Sequence, residues 1–445
     1  MGLTAMSRIL ILGAGFAGLQ TAIELDRALP RNSAHDILLV NDQNYFLFTP
    51  LMPQVVSSYI NPRHFIQPIR DIRGSRRFRF RRDVVRSLDL AARRVHCAEG
   101  SLDYDYLVLA LGSRTDFFNV PGAREHTWDF KSLEDALFLR ERLLDLCEHA
   151  DHAADPALRR RLLTFVVVGG GYTGIELITE MQDFLFHYVV PRYRGIAPGD
   201  IRLVVLEATA EVLRGVHPNL ACYSRRRLDA EGIEVRTNSA AARCFPGGVE
   251  LSGGEVIHSE TVVWAAGVRA HPLVESLPGP HDRRGRALVN EHLQLEGHPH
   301  IFVAGDSAAA LHAEQAPQVA PVAIGHGALT ARNIAHLERG APLESFRYAP
   351  TGMLVSLGMN YAVVSIGGLR FSGYFAWLIW NAVHLFKLVG FKKQLQVALD
   401  WMLGSVFPRD ASILRRPIRC PLCSGQCASD GALDSPRSAS AGPKP

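Results

Sequence analysis

The sequence lacks the cysteine content of a disulfide-stabilised protein. Its 445 residues contain seven cysteines, of which Cys97, Cys147, Cys222 and Cys244 are scattered along the chain. A disulfide framework needs many cysteines in a short secreted chain, so these four are predicted to be reduced structural thiols in a cytoplasmic protein. The apolar stretch 45–56 also contains no cysteine pair, which argues against a disulfide reductase with redox cysteines beside a flavin.

Long apolar runs and an excess of one charge are missing as well. No stretch reaches the roughly 20 apolar residues of a membrane-spanning helix. The apolar run after Arg8 leads into glycines rather than into the cleavage site of a signal peptide. The formal net charge is only +4, so no nucleic-acid partner is predicted.

The basic segment 70–86 includes Phe78 and Phe80. Such a run can bind anionic polymers or lipid head groups, but it is more typical of a strand with buried rings and solvated arginines.

What the chain does contain is a repeated glycine-rich turn. An apolar content of 47% over 445 residues is enough for two or three globular domains. Near the N-terminus a short apolar strand leads into a helix-like stretch through three glycines, Gly13, Gly15 and Gly18. The stretch 165–180 repeats this spacing with Gly169, Gly171 and Gly174.

Each glycine of such a turn has its own physical role. The first allows the tight turn, the second lets the backbone approach a pyrophosphate, and the third lets the helix pack on the strand. The N–H groups at the helix N-terminus then favour the negative phosphates. The repeat therefore predicts an α/β protein with two Rossmann-like dinucleotide-binding domains.

Polar residues at strand ends are candidates for binding the ribose of each nucleotide. The strand 36–40 ends at Asn41 and Asp42; the Asn41 amide oxygen can accept a ribose hydrogen bond, although both residues are also ordinary turn formers. The strand 201–206 ends at Glu207. A carboxylate at this position binds the ribose 2′-hydroxyl and repels a 2′-phosphate, which favours NADH over NADPH.

Further strands end in small or acidic residues. Two apolar runs, 106–112 and 262–268, occupy matching places in the two units. A third, 301–307, ends in Gly305 and Asp306. An aspartate in this position can receive a ribityl hydroxyl or serve as a helix N-cap.

With these features the chain resembles the two-dinucleotide-domain flavoproteins and, within them, the type II NADH dehydrogenases, which are single-subunit and do not pump protons. The resemblance extends from Arg8 to about Pro417. Its specific marks are the segments starting Tyr45-Phe-Leu-Phe-Thr-Pro-Leu, Leu133-Glu-Asp-Ala, Gly171-Tyr-Thr-Gly-Ile-Glu, Trp264-Ala-Ala-Gly-Val and Ser372-Gly-Tyr-Phe-Ala-Trp-Leu-Ile-Trp. It implies FAD in the first unit, NADH in the second, and electron transfer from NADH to a membrane quinone in a respiratory chain.

The resemblance also implies which residues bind each cofactor. FAD would be bound by Gly13, Gly15, Phe16, Ala17, Gly18, Asn41, Asp42, Ala110, Gly112, Gly305, Asp306 and Ala323. NADH would be bound by Gly169, Gly171, Tyr172, Thr173, Gly174, Glu207, Ala266 and Gly267. Glu176 matches the family's glutamate beside the nicotinamide, where it can orient the carboxamide or relay protons; an acid there can also simply stabilise the helix dipole.

The chain departs from the family at the quinone pocket. The family has an Ala-Gln motif with a second glutamine before its glycine, and this chain has Pro321 and Gly325 at those positions. His326 is the candidate to replace them as a proton donor, since its unperturbed pKa is near neutrality; a structural histidine is the alternative. With Glu176 it completes the predicted catalytic pair. A soluble NADH-dependent reductase of a ferredoxin- or rubredoxin-like protein and a flavin redox sensor without turnover are alternative functions.

The C-terminal region predicts a membrane contact. The stretch 374–389 is largely apolar, and 392–407 is amphipathic, with one stripe formed by Leu395, Ala398, Leu399, Met402 and Val406. Residue types that settle at a lipid interface flank it, namely Trp377, Trp380, Trp401, Lys387, Lys392 and Lys393. We therefore predict peripheral attachment to the cytoplasmic side of the cell membrane. Burial of these helices against the protein body or in a homodimer is the alternative.

The predicted domain limits follow from this order of motifs. The FAD domain comprises 1–125 and 297–345, the inserted NADH domain 126–296, and the membrane-associating region 346–417. The tail 418–445 has a cysteine cluster, Cys420, Cys423 and Cys427, and is otherwise predicted to be disordered. Its spacing suits a zinc or iron–sulfur site, but a fourth ligand is not evident, so no metal is assigned.

Overall fold

The structure, a computed structural model, describes residues 7–30, 35–311, 316–349 and 352–414. The whole tail 418–445, with its cysteine cluster and its predicted disorder, therefore lies outside the described residues. Cys97, Cys147, Cys222 and Cys244 are free thiols, as the sequence predicts.

The chain from Arg8 to His126 forms the first part of the first unit. Its strands are β1 (Arg8–Leu12), β2 (Asp36–Asn41), β3 (Tyr45–Leu47), β4 (Ile66–Pro68), β5 (Arg79–Arg82), β6 (Val85–Asp89), β7 (Arg94–Cys97), β8 (Gly100–Asp103), β9 (Tyr106–Leu109) and β10 (Ser113–Thr115). Its helices are α1 (Phe16–Ala28), α2 (Pro53–Val56), α3 (Pro62–Phe65), α4 (Ile69–Arg73) and α5 (Ala123–His126).

The second unit follows. Its strands are β11 (Trp128–Asp129), β12 (Thr164–Val168), β13 (Arg202–Leu206), β14 (Ile233–Arg236), β15 (Ala241–Phe245), β16 (Gly248–Leu251), β17 (Val256–His258), β18 (Thr261–Trp264) and β19 (Val268–Ala270). Its helices are α6 (Leu133–His152), α7 (Pro156–Leu162), α8 (Tyr172–Asp183), α9 (Pro218–Ala230) and α10 (Pro272–Glu275).

The chain then returns to the first unit and ends in a C-terminal region. The return comprises β20 (Ala287–Val289), β21 (Gln294–Leu295), β22 (His298–Val303), β23 (Ala308–Ala310) and α11 (Ala320–Arg339). The C-terminal region comprises β24 (Met353–Ser356), β25 (Ala362–Ile366), β26 (Leu369–Gly373), α12 (Tyr374–Lys387) and α13 (Phe391–Val406).

The first sheet brings distant parts of the chain to one edge. Its strand order is β23-β20-β21-β22-β9-β1-β2-β5, and β22, β9, β1, β2 and β5 run parallel. Because the carboxyl ends of parallel strands lie at the same edge, the residues at or just after these ends meet there, namely Gly13, Asn41, Ala110 and Gly305. Open α/β sheets bind their ligands at this kind of edge, where the strand order reverses.

The second unit is inserted through one antiparallel pair. Its parallel sheet has the order β11-β18-β12-β13-β14, and β10 pairs with β19, so that Ser113 faces Ala270 where the chain leaves and re-enters the first unit. Strands β20 and β21 belong to the first sheet. The chain therefore re-enters the first unit by Ala287, before the predicted domain boundary at 297. These strands are only two or three residues long, too short to show a periodic pattern in the sequence.

The basic segment forms the strand that the alternation predicts. Phe80 in β5 and Phe78 before it are buried. The arginines around them bind carboxylates: Arg77 contacts Asp26 in α1, Arg79 contacts Asp36 in β2, and Arg81 contacts the buried Asp83, which follows β5. The first two pairs are partly exposed, and ion pairs of that kind each contribute little to stability, so the buried rings fix the strand.

The C-terminal region packs a small antiparallel sheet and two helices against both units. The sheet order is β24-β25-β26. The three tryptophans predicted for a lipid interface are instead buried in the protein; Trp380 is only 1% exposed, and the Trp401 indole donates to Gln54 Oε1 at 2.8 Å. Helical position alone does not tell which face meets the body. In the part of the chain that the structure describes, no helix has the length and apolar character required to cross a membrane.

Candidate active site

In the first glycine turn, backbone atoms pack against Gly13 and Gly18, whereas the space beside Gly15 is open. Gly13 has φ +96°, and a Cβ there would overlap the Ala110 carbonyl, whereas a Cβ on Gly18 would overlap the Gly13 carbonyl. A Cβ on Gly15 would meet no described atom within 4 Å. The two outer glycines are therefore required by packing. The space beside Gly15 is available to a ligand.

The second turn has the same geometry. A Cβ on Gly169, at φ +115°, would lie 2.6 Å from the Ala265 carbonyl oxygen, and one on Gly174 would overlap Gly169. Gly171 again has no described neighbour within 4 Å of its Cβ position. The two turns thus repeat in space as well as in sequence.

The helices after these turns have N-termini that no side chain caps. Gly15 is the N-cap of α1 and Gly171 the N-cap of α8, and among the described residues neither helix has a capping side chain or an acid in its first turn. The first N–H groups of each helix are thus left for an anion. Both turns fit the pyrophosphate of a dinucleotide.

Asn41 and Glu207 hold equivalent positions in the two units. Asn41 Oδ1 accepts from the Ala14 N–H at 2.9 Å, and Glu207 Oε2 accepts from the Gly170 N–H at 2.9 Å. Each side chain thereby fixes its own glycine turn. The neutral amide of Asn41 performs this task as well as the carboxylate, which explains how the first unit tolerates the loss of the usual acid.

The other strand-end candidates are more exposed. Asp42 accepts from the Gln43 N–H at 2.8 Å and faces solvent. In the second unit Tyr172, Thr173 and Ala266 are exposed beside the open turn. They line the space into which a nucleotide bound at α8 would extend.

A wall of small side chains borders the first turn. Ala17, Ala110, Ala304 and Ala323 form one buried cluster, with Phe16 packed against it. A Cβ on Gly305, at φ +70°, would lie 3.1 Å from the Ala17 side chain. Small residues are needed here because α1, β22 and α11 approach one another closely.

Two further candidates lie at the junction of the units. Gly112 has φ +70°, and its carbonyl oxygen accepts a hydrogen bond from Ser307 Oγ at 3.0 Å. The Gly267 carbonyl accepts from the Asp116 N–H at 3.0 Å, and the Phe118 ring covers Gly267 so closely that a Cβ would lie 2.7 Å from it. Both glycines shape the crossings, and Phe118, which the sequence did not identify, is an exposed ring that covers Gly267.

His326 has a different role from the predicted proton donor. It is 5% exposed, and its Nδ1 accepts from the Gly305 N–H at 3.2 Å. Burial lowers the pKa of His326 to about 4, so the ring is neutral at pH 7 and supports the Gly305 turn. The Phe346 ring packs edge-on against it and lies 3.3 Å from the Cβ position of Gly325. An aromatic side chain therefore fills the space that a glutamine at 325 would need.

Glu176 lies in an environment that favours its protonated form. The Ser356 N–H donates to Glu176 Oε1 at 2.9 Å. Burial raises the pKa of Glu176 to about 8, and the nearby Glu180 adds to the rise, while the Ser356 hydrogen bond opposes it. Glu180, one turn further along α8, has its pKa raised to about 7, mainly by burial. Carboxyl groups with such pKa values can hold and release protons near neutral pH.

Arg409, which the sequence did not identify, ties the C-terminal region to the same face of α8. Its Nη2 lies 2.7 Å from Asp183 Oδ2, and both side chains are almost completely buried. The guanidinium carbon lies 4.3 Å from the centres of both the Tyr59 and Tyr188 rings. A buried charge pair held between aromatic rings fixes the segment after α13 in register with α8.

Two aromatic side chains of α12, Trp380 and His384, lie next to each other, and His384 faces Phe48 of the first unit. The His384 ring lies 4.0 Å from the Trp380 ring and 6.2 Å from the Phe48 ring. His384 Nδ1 lies 2.7 Å from the Trp380 carbonyl and donates to it. Burial lowers the pKa of His384 to about 4, so this wall is neutral and largely apolar, as a site for a lipid-soluble acceptor requires.

Comparisons with known proteins identify the family. Residues 7–327 match the family model described as pyridine nucleotide-disulphide oxidoreductase, and 351–410 match the NDH2 C-terminal domain. The type II NADH:quinone oxidoreductase NdhA of Mycobacterium tuberculosis is 33% identical over 412 residues, which cover 88% of this chain and 86% of that protein. The chain belongs to the type II NADH:quinone oxidoreductases.

A second relative and a solved structure also resemble this chain over most of its length. The demethylphylloquinone reductase NdbB of Synechocystis is 31% identical over 89% of this chain and 96% of its own length. The structure of NDH2 from Plasmodium falciparum in complex with NADH has a TM-score of 0.84 at 19% identity, covering 91% of this chain and 99% of that one. The predicted family, the two-domain α/β fold, the FAD-dependent NADH dehydrogenase activity with quinone as acceptor, and FAD and NADH as cofactors are confirmed.

Proposed function

We propose that this type II NADH:quinone oxidoreductase binds FAD at the Gly15 turn and NADH at the Gly171 turn. FAD supplies the carrier that takes a hydride from NADH and delivers electrons to the quinone. The observation that carries this assignment is the pair of open turns at uncapped helix N-termini. We assign FAD to the first unit because its sheet edge is also bordered by Asp306, in the turn after β22, and by the alanine wall around Ala323.

Reduction and reoxidation of the bound flavin test the whole path. Purified full-length protein, reduced with NADH without oxygen, is mixed with liposomes that contain ubiquinone or menaquinone analogues. We expect the flavin absorbance to bleach with NADH and to return rapidly with a quinone. A flavin that NADH reduces but that no quinone reoxidises would contradict the quinone step and favour a soluble protein acceptor.

Nucleotide selectivity is proposed to depend on the charge of Glu207. Glu207→Gln keeps an oxygen for the Gly170 N–H, as Asn41 does for Ala14 in the first unit. It removes the negative charge that repels a 2′-phosphate. We expect the preference for NADH over NADPH, measured as the ratio of kcat/KM values, to fall by about tenfold, since 1.4 kcal/mol corresponds to a factor of ten. An unchanged ratio would contradict the role of the charge.

Glu176 is proposed as the proton donor near the site. Its carboxyl is protonated at neutral pH, and the Ser356 N–H fixes one of its oxygens. Reduction of a quinone to a quinol consumes two protons, so a partly buried group that carries one close to the acceptor lowers the barrier.

Membrane attachment is proposed to use the exposed stripe of α13. Leu395, Leu399, Met402 and Val406 are all exposed and follow helical spacing, and two neighbouring phenylalanines, Phe386 and Phe391, are each 78% exposed. An amphipathic helix of this kind lies in the plane of a bilayer surface. We place this surface on the cytoplasmic side of the cell membrane, where NADH is available; a homodimer through the same helices stays a prediction.

The membrane proposal predicts a change in fractionation. Met402→Glu combined with Val406→Glu puts two charges on the stripe, and we expect the protein to move from the washed membranes to the soluble fraction. NADH oxidation with a water-soluble quinone analogue is expected to stay within about twofold of wild type. Val256→Glu, an exposed apolar residue of the second unit, is the matched control and is expected to stay on the membrane. Retention of the double variant would show that another surface binds the bilayer.

A further inference from the structure

Lysine is rare in this chain, so its positions are informative. The sequence contains 43 arginines and five lysines, Lys131, Lys387, Lys392, Lys393 and Lys444. Lys131 is the only lysine in the first 386 residues. Lysine differs from arginine in presenting a compact ammonium group rather than a planar fork. The ammonium group of Lys131 is therefore a candidate for a role that a guanidinium could not fill.

The backbone at Lys131 is held firmly. Lys131 and Ser132 both donate their N–H groups to Asp135 Oδ2, at 3.0 and 2.8 Å, and the Asp135 N–H donates to Ser132 Oγ at 3.1 Å. This is a capping box at the start of α6. The lysine side chain therefore leaves from a fixed point of the second unit.

From that point the side chain reaches the first unit through two hydrogen bonds. Lys131 Nζ donates to Ser113 Oγ at 2.9 Å, and Ser113 Oγ donates to Asp306 Oδ2 at 2.7 Å. Since an ammonium group has no acceptor, it occupies a lone pair of the hydroxyl and leaves the hydroxyl proton for the carboxylate. Ser113 lies in β10, the crossing between the units, and Asp306 follows β22.

We propose that Lys131 is a positioning residue for the flavin, which through the Ser113 hydroxyl orients the Asp306 carboxylate so that its other oxygen can accept from an FAD hydroxyl. This inference rests on the proposed function, in which Asp306 contacts FAD. The lysine suits the task because a single hydroxyl can accept from one ammonium hydrogen, while the remaining hydrogens stay hydrated at the exposed end of the side chain. An arginine fork would bring further N–H groups that this hydroxyl cannot satisfy.

Release of FAD from the purified full-length holoenzyme tests the proposal. It is followed as the rise of flavin fluorescence after dilution, a measurement that does not depend on turnover. We expect Lys131→Met and Ser113→Ala each to speed release by about tenfold, since a hydrogen bond to a charged group is being lost. Ser113→Thr keeps the hydroxyl and is expected to behave like wild type. The double variant of Lys131→Met and Ser113→Ala is expected to release FAD no faster than either single variant, because the two residues act in series.

The controls separate failure of this inference from failure of the binding assignment. Arg160→Met removes an exposed cation from α7 and is expected to leave FAD release unchanged. Asp306→Asn is expected to speed release at least as much as Lys131→Met. If Asp306→Asn speeds release but Lys131→Met stays within twofold of wild type, or if the Lys131 and Ser113 effects simply add, the positioning role is overturned. If Asp306→Asn itself has no effect, the assignment of Asp306 to FAD fails.

Discussion

Gly171→Val is expected to abolish NADH binding while leaving the protein folded and loaded with FAD. The backbone at Gly171 has φ −76°, which any residue can adopt, and no described atom lies within 4 Å of its Cβ position. The valine methyl groups would instead occupy the space that the pyrophosphate needs at the N-terminus of α8. We expect the Kd for NADH to rise by about 100-fold or more, equivalent to about 2.8 kcal/mol.

The measurement combines NADH titration with thermal unfolding. The flavin content and the midpoint of unfolding are expected to match those of wild type. Gly174→Val is the contrasting variant, because its Cβ would overlap the Gly169 carbonyl, and it is expected to unfold the second unit. A Gly171→Val protein that binds NADH normally would show that the dinucleotide lies elsewhere.

Glu176→Gln is expected to slow reoxidation of the reduced flavin by quinone by about 10²-fold to 10⁴-fold, the usual range for removing a general acid. Because the pKa of Glu176 is about 8, the wild-type rate is expected to fall as pH rises through 8, where the carboxyl loses its proton. The variant is expected to have no such fall. Stopped-flow absorbance of the flavin at several pH values separates this step from reduction by NADH.

The outcome also distinguishes the two roles assigned to Glu176. If reduction by NADH slows instead of reoxidation, the carboxyl orients the nicotinamide rather than supplying a proton. Glu99→Gln, an exposed acid of the first unit, is the matched control and is expected to change neither step.

Stability gives an independent check on the same pKa. A carboxyl whose pKa is raised in the folded state binds more protons there than in the unfolded state, so it favours folding at low pH and this contribution is lost as pH rises from about 4.5 to 8. Glu176→Gln removes the effect. Between pH 5 and 9 the unfolding midpoint of the variant is expected to fall less than that of wild type.

Several site residues could be predicted from sequence because their roles are local. The glycine turns depend on residues within six positions of one another, and their backbone angles and contacts follow from the absence of a Cβ. Glu207 is predicted by its place at a strand end. Asn41 also lies at a strand end, and its amide oxygen accepts the Ala14 N–H; its hydrogen bond to the ribose stays a prediction.

Other residues were misjudged because their surroundings come from distant segments. His326 has a near-neutral pKa in isolation, but Phe346 and the Gly305 turn bury it. The tryptophans of α12 and α13 are common at lipid interfaces, yet they pack on α2 and on the body. The spacing of apolar and polar residues shows that the two faces of such a helix differ in polarity, but it does not show which face packs against the rest of the protein.

The sequence by itself determined the family and predicted the two nucleotide sites and their order along the chain, because glycine spacing and strand-end polarity act over a few residues. Only the tertiary structure decided the protonation of Glu176, the neutral state of His326 and the contacts of Arg409 and Lys131. Arg409 meets Asp183, and Lys131 reaches Asp306 through Ser113, across separations of well over 100 residues. Burial and charge at such places depend on which segments the fold brings together, and no local pattern encodes that.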